Sequence, residues 1–372
     1  MRVLTLTIAA AALSLAACSS GADAGVGDTS PTSSSSASSS STSADVTVRV
    51  ITHDSFALSQ QLIDDFTAET GITVEFIPAG DAGEMVNRAV LSVGAPEADV
   101  LYGVDTTLLT RAVDAGVFEP YTSADAGALR PELADLGGGV VTPIDDGDVC
   151  INVDDVWFAD NGITPPTTLD DLLDPAYRGL LVVENPATSS PGLAFLLGTI
   201  ARYEAGGDGT SESWTDYWTA LRENDVLVVN GWSEAYYTEF TGGGGGGDRP
   251  LVVSYSTSPP AEIIYAEGTP PDRPSTSTML DSCYRQVEFA GVLAGTEQPQ
   301  AAQRVIDWLI SPQVQADVPL SMFVFPARAD TPLPDAFAQF VTRPQSPLEL
   351  PADVIAAERD RWIEEWTEIV LR

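Results

Sequence analysis

From residue 46 onward, the sequence alternates short apolar segments with amphipathic segments of helical periodicity. In chain order we predict a strand in DVTVRVITH, a helix in ALSQQLIDDFTAETG, a strand in ITVEFIPA, a helix in AGEMVNRAVLSVG and a strand in ADVLYGV. This βαβαβ order predicts an α/β fold with a parallel sheet and right-handed crossovers. Ligands of such sheets bind at the carboxyl ends of the strands, where His53, Asp54, Asp81 and Asp105 fall.

A second α/β unit follows in the middle of the chain. The predicted elements are a strand in GLLVVENP, a helix in SPGLAFLLGTIARYEA, a strand in DVLVVNG, a helix in SEAYYTEF and a strand in RPLVVSYSTS. The segment YRQVEFAGVL returns as a strand before the helix PQAAQRVIDWLI, and the tail predicts an amphipathic helix with Val354, Trp362, Trp366 and Val370 packed on the body. Two α/β units joined by returning strands enclose a cleft, which is typical of a small-ligand site.

The amino terminus has the pattern of an exported protein. Residues 3–17 form an apolar run after Arg2 that is too short for a membrane span. The run ends in LAAC, which resembles the bacterial lipobox and implies a lipoprotein signal peptide over residues 1–17 and lipidation of Cys18; a plain secretory signal is the alternative. Residues 18–45 are rich in serine and predict a flexible tether, with a reach of roughly 30 Å.

The charge of the chain excludes several classes of function. There are 54 acidic and 17 basic residues, for a net charge of −37, and lysine is absent. Such a surface repels nucleic acids, and the missing lysine removes Schiff-base chemistry and the P-loop. Beyond Cys18, Cys150 and Cys283 form an even pair in an oxidising compartment, which favours a disulfide over two buried thiols; no metal-binding spacing is present.

The single histidine stands beside an aspartate and a serine in VRVITHDSFA. His53, Asp54 and Ser55 are consecutive at a predicted strand end, where side chains alternate in direction, so we do not expect them to form a catalytic triad. The sequence has no Gly-x-Ser-x-Gly elbow. We therefore predict a protein that binds a ligand and is not an enzyme, with no cofactor.

Several polar and aromatic residues at predicted strand and helix ends are candidate ligand contacts. Ser189 and Ser190 precede a helix and either cap it or meet a polar ligand group. Trp232 and Tyr236 share one helical face, and aromatic faces attract cations. The remaining candidates of this kind are Tyr255, Ser256, Thr257, Ser258 and Phe323. With Asp54 and Asp81, this set predicts a flat, cationic ligand that forms hydrogen bonds.

The chain resembles the thiamine-binding substrate-binding proteins of bacterial ABC transporters. The resemblance spans about residues 46–372 and is carried by THDSFA, NRAVLSVGAPEADVLYGVDTTLL, TSSPGLAFLL, GWSEAYY, VVSYSTSP, SPQVQADVPL and ERDRWIEEWTEIV. It implies the two-lobed type 2 periplasmic binding fold with a ligand cleft between the lobes. The implied boundaries are 46–145 plus about 284–345 for lobe 1, 146–283 for lobe 2, and 346–372 for the C-terminal helix.

The resemblance also implies ligand, partners and contacts. It implies a monomer, lipid-anchored outside the cytoplasm, that delivers thiamine to an ABC permease, with thiamine phosphates as further candidate ligands. The implied contacts are Asp81, Ala82, Ser189, Ser190, Trp232 and Tyr255 to Ser258. His53 and Phe323 stand where the family commonly has tyrosine and tryptophan, which leaves a smaller stacking surface. A ferric-iron receptor of the same fold and a polyamine receptor are the alternatives.

Overall fold

A mixed β-sheet forms the centre of the structure, a computed structural model that describes residues 46–204 and 213–372. The predicted signal peptide, lipidation site Cys18 and tether lie outside the described residues. Ten strands make up the sheet, and the order along it is β2-β1-β3-β9-β5-β8-β6-β7, with β4 paired to β9 and β10 paired to β5. Within the described ranges, no helix combines the length and apolarity needed to cross a membrane.

The first half of the sheet contains the predicted βαβαβ unit. Its elements are β1 (Val46–Thr52), α1 (Gln60–Thr70), β2 (Ile72–Pro78), α2 (Ala82–Leu91), β3 (Val100–Asp105), α3 (Leu109–Asp114), β4 (Phe118–Glu119), a 3₁₀ turn (Ala126–Ala128) and α4 (Pro131–Ala134). Strand β1 pairs in parallel with both β2 and β3, as the sequence predicts. Gly71 ends α1 in the left-handed conformation, with a φ of 70°, because glycine has no Cβ to clash there.

The second half of the sheet contains the middle of the chain. Its elements are β5 (Thr142–Asp154), α5 (Asp155–Asn161), 3₁₀ turns (Asp170–Leu173, Pro175–Tyr177), β6 (Leu181–Glu184), α6 (Ser190–Tyr203), α7 (Trp214–Glu223), β7 (Leu227–Val229), α8 (Trp232–Glu234) with a π-helical turn (Ala235–Glu239), β8 (Leu251–Tyr255) and α9 (Ala261–Ile264). Strand β6 pairs in parallel with β7 and β8, so their carboxyl ends meet at one edge.

The chain closes with one long strand, one short strand and four helices. These are β9 (Thr276–Leu293), α10 (Pro299–Leu309), α11 (Pro312–Ser321), β10 (Phe325–Pro326), α12 (Asp335–Phe340) and α13 (Ala352–Val370). Helix α13 buries Trp362 and Trp366, and the Trp366 ring meets Trp218 of α7 edge to face at 5.4 Å. Val354, which the periodicity predicts to be packed, is instead 37% exposed, and its neighbour Ile355 is buried.

Two long antiparallel strands, β5 and β9, join the halves of the sheet. One end of β9 pairs with β3, whereas its other end lies beside the part of β5 that pairs with β8. Cys150 on β5 and Cys283 on β9 form a disulfide within this crossing. Because all described residues belong to one compact unit, the lobe boundaries at 145/146 and 283/284 stay predictions.

The glycine run at residues 242–247 forms a partly exposed loop between the π-helical turn and β8. It packs against the π-helical turn, where a Cβ added at Gly245 or Gly247 would overlap a backbone carbonyl oxygen of Phe240 or Glu239. Gly243 has a φ of 59°, and a Cβ there would overlap the Tyr236 ring. The run is therefore glycine-rich because the backbone lies directly on its neighbours.

Candidate ligand-binding site

One cavity of about 550 Å³ lies between the two halves of the sheet. The first half brings His53, Asp81 and Ala82 to its wall, β9 brings Glu288, and the segment between α11 and β10 brings Phe323. Second-half elements bring Ser190, Trp232, Tyr236, Tyr255, Ser258, Glu262 and Tyr265. The volume suits a small metabolite that contacts both halves at once.

Stacked rings form one side of the cavity. Trp232 and Tyr236 lie one helical turn apart, and their rings stack with centroids 5.0 Å apart at an angle of 17°. Indole Nε1 of Trp232 donates to Oγ of Ser254 at 2.9 Å, and this hydroxyl lies 2.9 Å from Oγ of Ser258. The hydrogen bonds fix the plane of the indole, so the aromatic surface is pre-organised for a flat ligand.

Tyr255 begins a hydrogen-bond chain across the floor of the cavity. Its hydroxyl donates to Oε1 of Gln286 at 2.8 Å, and Nε2 of Gln286 donates to Oγ of Ser190 at 3.0 Å and to Oδ2 of Asp105 at 2.5 Å. Burial raises the pKa of Tyr255 well above its ordinary value, which keeps the phenol protonated as a donor. The chain ties β8, β9, α6 and β3 together beneath the cavity.

Asp81 joins the two halves of the structure. It caps α2, and its Oδ1 accepts from the backbone N–H of Ala82 at 2.6 Å. Its Oδ2 accepts from the backbone N–H of Trp232 at 2.9 Å, and Oδ1 lies 3.4 Å from the N–H of Ser190. Burial raises the pKa of Asp81 to about 6, although the hydrogen bonds from Trp232 and Ala82 oppose this rise.

His53 and Ser55 contact each other at the cavity wall. Strand β1 ends at Thr52, so both residues sit in a turn, and Nδ1 of His53 lies 2.8 Å from Oγ of Ser55. Nε2 of His53 lies 3.9 Å from Oε2 of Glu288. Asp54 between them is exposed and its carboxylate lies 3.4 Å from Oγ of Ser233, so the three consecutive side chains do not converge on one point.

The electrostatics of this trio nevertheless disfavour catalysis. Burial lowers the pKa of His53 to about 4, so the imidazole is a weak base that stays neutral at pH 7. Burial and the nearby carboxyls of Asp145 and Asp105 raise the pKa of Glu288 well above its ordinary value. A base with a lowered pKa, beside a carboxyl with a raised pKa, differs from the ionised pair that activates a serine hydroxyl.

Tyr265 and Phe323, which both line the cavity, contact each other at its wall. The hydroxyl of Tyr265 donates to the carbonyl oxygen of Leu320 at 2.9 Å, and its ring meets Phe323 at 5.0 Å. Phe323 has a φ of 54°, in a region that bulky residues rarely adopt. This backbone conformation sets the direction of the Phe323 side chain at the cavity wall.

Four of the predicted contact residues do not line the cavity. Asp54 is exposed and accepts from the hydroxyl of Ser233 at 3.4 Å. Ser189 is buried as the N-cap of α6. The hydroxyls of Ser256 and Thr257 are buried without a hydrogen-bond partner. The structure brings the other candidates to the wall: His53, Asp81, Ala82, Ser190, Trp232, Tyr236, Tyr255, Ser258 and Phe323.

Other wall residues have no distinctive sequence signal. Glu288 lies within the apolar strand β9, and Tyr265 follows a short helix in a Pro-rich loop. The carboxylate of Glu262 accepts from the backbone N–H and the hydroxyl of Ser275, both at 2.6 Å. In the described part of the chain, no three His, Cys, Asp or Glu side chains are grouped to hold a metal ion.

Residues 52–316 match the family of bacterial extracellular solute-binding proteins. The chain belongs to this family. The solute-binding protein is 29% identical to a thiamine-binding periplasmic protein of Escherichia coli (strain K12), over 87% of this chain and 93% of that protein. A relative of the same description from Brucella suis biovar 1 (strain 1330) is 28% identical over 86% of this chain and 91% of its own.

Solved structures give the same family context for the solute-binding protein. A periplasmic thiamin-binding protein superposes with a TM-score of 0.72 at 28% identity, covering 88% of this chain and 96% of its own. A ferric binding protein from Campylobacter jejuni superposes with a TM-score of 0.64 at 18% identity, covering 87% and 99%, and shares the fold. These likenesses confirm the predicted two-lobed type 2 periplasmic binding fold.

Proposed function

We propose that this protein captures thiamine outside the cytoplasm and delivers it to an ABC importer. Relatives named as thiamine-binding periplasmic proteins cover most of the chain and support this assignment. The observation that carries it is the composition of the cavity wall, where the stacked rings of Trp232 and Tyr236 face a space bordered by the carboxyls of Asp81 and Glu288.

Thiamine matches this wall in shape and charge. Its aminopyrimidine and positively charged thiazolium are flat rings, which stack on indole and phenol faces and are attracted by their negative electrostatic potential. Carboxyls and hydroxyls at the wall accept hydrogen bonds from the amino group. The proposed role is capture without chemical conversion, and the nine wall residues predicted from the sequence are the proposed contacts.

Closure of the two halves is the proposed mechanism. Ligand contacts with both halves favour the closed state by the difference in affinity between the open and closed forms. The bonds from Trp232 to Asp81 and from Tyr265 to Leu320 already cross between the halves. Lobes with the predicted boundaries, a lipid anchor at Cys18 and transfer to a permease as a monomer complete the proposal.

Calorimetric titration of the purified full chain tests the ligand. Thiamine is expected to bind, whereas spermidine and ferric citrate are expected not to bind at the same concentrations. Binding of spermidine in place of thiamine would make the protein a polyamine receptor, and a coloured complex with iron would make it a ferric receptor. Mass spectrometry of the released ligand should return thiamine unchanged.

Trp232→Ala tests the proposed stacking surface. Loss of the indole should weaken thiamine binding by about 2 kcal/mol, roughly 30-fold, because a stacking anchor is removed. Trp157→Ala is the matched control, since Trp157 is also half-buried but packs on Phe158 away from the cavity. Equal affinities of the two variants would remove Trp232 from the site.

A further inference from the structure

A second pocket, of about 190 Å³, shares no wall residue with the ligand cavity. Three parts of the chain form its wall. The first half brings Asn87 of α2 and Arg111 of α3, the second half brings Pro186 and Ala187, and α13 brings Arg359 and Asp360. The pocket is much smaller than the cavity, so its size suits a small ion and not a molecule with two rings.

Two arginines share one carboxylate in this pocket. Nη1 of Arg111 lies 3.5 Å from Oδ2 of Asp360, and Nε and Nη2 of Arg359 donate to Oδ1 of the same aspartate at 3.0 and 2.9 Å. The Asp360 side chain is itself 72% exposed. No other charged side chain belongs to the described wall, so two guanidinium groups and one carboxylate leave it with a net positive charge.

Both guanidinium groups keep a buried N–H without an acceptor. Arg359 is 5% exposed, and within the described residues its Nη1 has no hydrogen-bond partner; the same is true of Nε of Arg111. Removing a charged donor from water without giving it an acceptor costs free energy. An anion in the pocket would balance the second positive charge, which a neutral ligand would not do.

The donors at the wall favour an oxyanion over a spherical anion. A guanidinium is a planar fork of N–H groups that matches two oxygens of a phosphate or carboxylate, and the amide of Asn87 is a further donor. The backbone on the opposite side adds none, because Pro186 has no N–H and the N–H of Ala187 donates to Oδ1 of Asn185 at 3.0 Å. Recognition in this pocket therefore depends on side chains.

The net charge of the chain opposes an anion, but only at long range. The formal charge is −37, whereas charges separated by more than about 8 Å are largely screened at physiological ionic strength. Two arginines that line one small pocket act on a bound anion at contact distance, and one of them is almost fully buried. The local attraction should therefore outweigh the repulsion from distant carboxylates.

The pocket lies where α13 meets the first half of the structure. Farther along, α13 packs on α7 of the second half through the two tryptophan rings described above, and Nη1 of Arg222 on α7 donates to the carbonyl oxygen of Ile369 at 2.8 Å. An anion held by Arg111 on α3 and Arg359 on α13 therefore ties the first half to a helix that is fixed to the second half.

We propose that the pocket between Arg111 and Arg359 binds a small oxyanion of the class of inorganic phosphate and sulfate, and that the bound anion favours the state in which the two halves are in contact. Two ligands that favour the same state raise each other's affinity. The anion should therefore strengthen binding in the cavity. This second part rests on the proposed function, whereas the anion site itself does not.

Calorimetric titration of the full chain with sodium phosphate at pH 7.5 and constant chloride tests the site. Saturable binding is expected, and Arg111→Gln should weaken it at least about tenfold because one of the two guanidinium groups is lost. Arg178→Gln is the matched control: it removes the same charge from an exposed ion pair with Asp225 and should change the affinity less than about twofold. Equal losses in the two variants, or no saturable binding of phosphate or sulfate, would overturn the site.

Two further variants keep the test independent of Arg111. Arg359→Lys retains the charge but loses the planar fork, so phosphate should bind more weakly. Asp360→Asn removes the one carboxylate of the wall and should tighten phosphate binding at least about threefold. Unchanged phosphate affinity in both variants would contradict recognition by this pocket.

Thiamine titrations with and without saturating phosphate test the coupling. Phosphate should raise the thiamine affinity of the parent protein at least about threefold and should not change that of Arg111→Gln at the same concentration. Phosphate binding that leaves thiamine affinity unchanged in the parent protein would overturn the second part of the proposal. If thiamine failed to bind at all, the proposed function would be wrong, and the phosphate titrations would still decide the anion site.

Discussion

Buried carboxyls occur in two contrasting settings in this protein. On β5, Asp146 pairs with Arg130 and Arg343, and Asp148 pairs with Arg285. We call Asp146 and Asp148 the arginine-paired carboxyls. Asp81 and Glu288 line the cavity, and Glu184 ends β6 close to Asp81; all three are buried, and among the described residues none of them forms an ion pair with an arginine. We call these three the cavity carboxyls.

Within the described ranges, arginines neutralise the arginine-paired carboxyls but not the cavity carboxyls. The arginine-paired carboxyls tie β5 to β9 through Arg285 and to the segments that carry Arg130 and Arg343, so they serve the fold. Burial raises the pKa of each cavity carboxyl, which means that keeping it ionised costs free energy. A bound cation recovers part of this cost, so the two groups should respond in opposite directions to loss of charge.

Asp146→Asn should give the largest effect on stability. The free energy of unfolding should fall by about 2–3 kcal/mol, because two partly buried guanidinium groups lose their shared partner. Urea denaturation measures the change. Asp330→Asn is the matched control: it breaks an ion pair with Arg328 whose carboxylate is 68% exposed, and should cost less than about 1 kcal/mol. Similar losses of stability in the two variants would show that the ion pairs of Asp146 contribute no more than an exposed surface pair.

Glu184→Met should act in the opposite direction. A side chain of similar size without polar atoms replaces a buried carboxyl that lacks hydrogen-bond partners, so the free energy of unfolding should rise by about 1–2 kcal/mol. The same change should weaken thiamine binding, because the positive charge of the ligand favours the ionised form of a buried carboxyl and methionine cannot ionise. Denaturation and calorimetry on one preparation check both effects. A variant that is less stable than the parent protein would show that Glu184 has a structural partner.

Mild acid should stabilise the protein by a smaller amount, about 1 kcal/mol, or roughly 2 °C in Tm, between pH 7.5 and 5.5. Burial raises the pKa of Asp81 and Asp105 from 3.8 to about 6 and that of Asp145 to about 7. The folded state therefore binds more protons than the unfolded state in this range, and stability falls as pH rises. Burial lowers the pKa of His53 from 6.5 to about 4, so this one group acts in the opposite direction and makes the protein less stable as the pH falls.

Thermal unfolding across this pH range checks the prediction, and the Glu184→Met variant sharpens it. Since that variant lacks one carboxyl of raised pKa, its Tm should change less with pH than that of the parent protein. A Tm that falls as the pH is lowered from 7.5 to 5.5 would indicate that the cavity carboxyls remain ionised in the folded state.

The parts of the fold that follow simple periodicity could be predicted from the sequence. The βαβαβ unit and the helix α13 have regular apolar spacing, and the structure contains both. Strand β5 was not predicted, because Asp145, Asp146 and Asp148 make its sequence look polar. All 13 of its residues are buried, and arginines distant in sequence neutralise two of these aspartates. Tertiary partners of this kind leave no local pattern.

The candidate site shows the same limit. Trp232 and Tyr255 follow apolar strands at the sheet edge, a position that local sequence does indicate, and both reach the cavity wall. Glu288 lies within strand β9, and only the folded structure shows that it lines the cavity. Ser189 could be assigned to capping or to a ligand, and only the structure places its hydroxyl on Gly192 of its own helix. The ligand contacts themselves stay predictions.

The disulfide between Cys150 and Cys283 limits how the two halves can move. It joins β5 and β9 near the point where their pairing register shifts, between Val149 and Ile151. A covalent link at this point prevents the two strands from sliding lengthwise past each other. We therefore expect the cavity to open by rotation or bending at this linked crossing, and not by shear between β5 and β9.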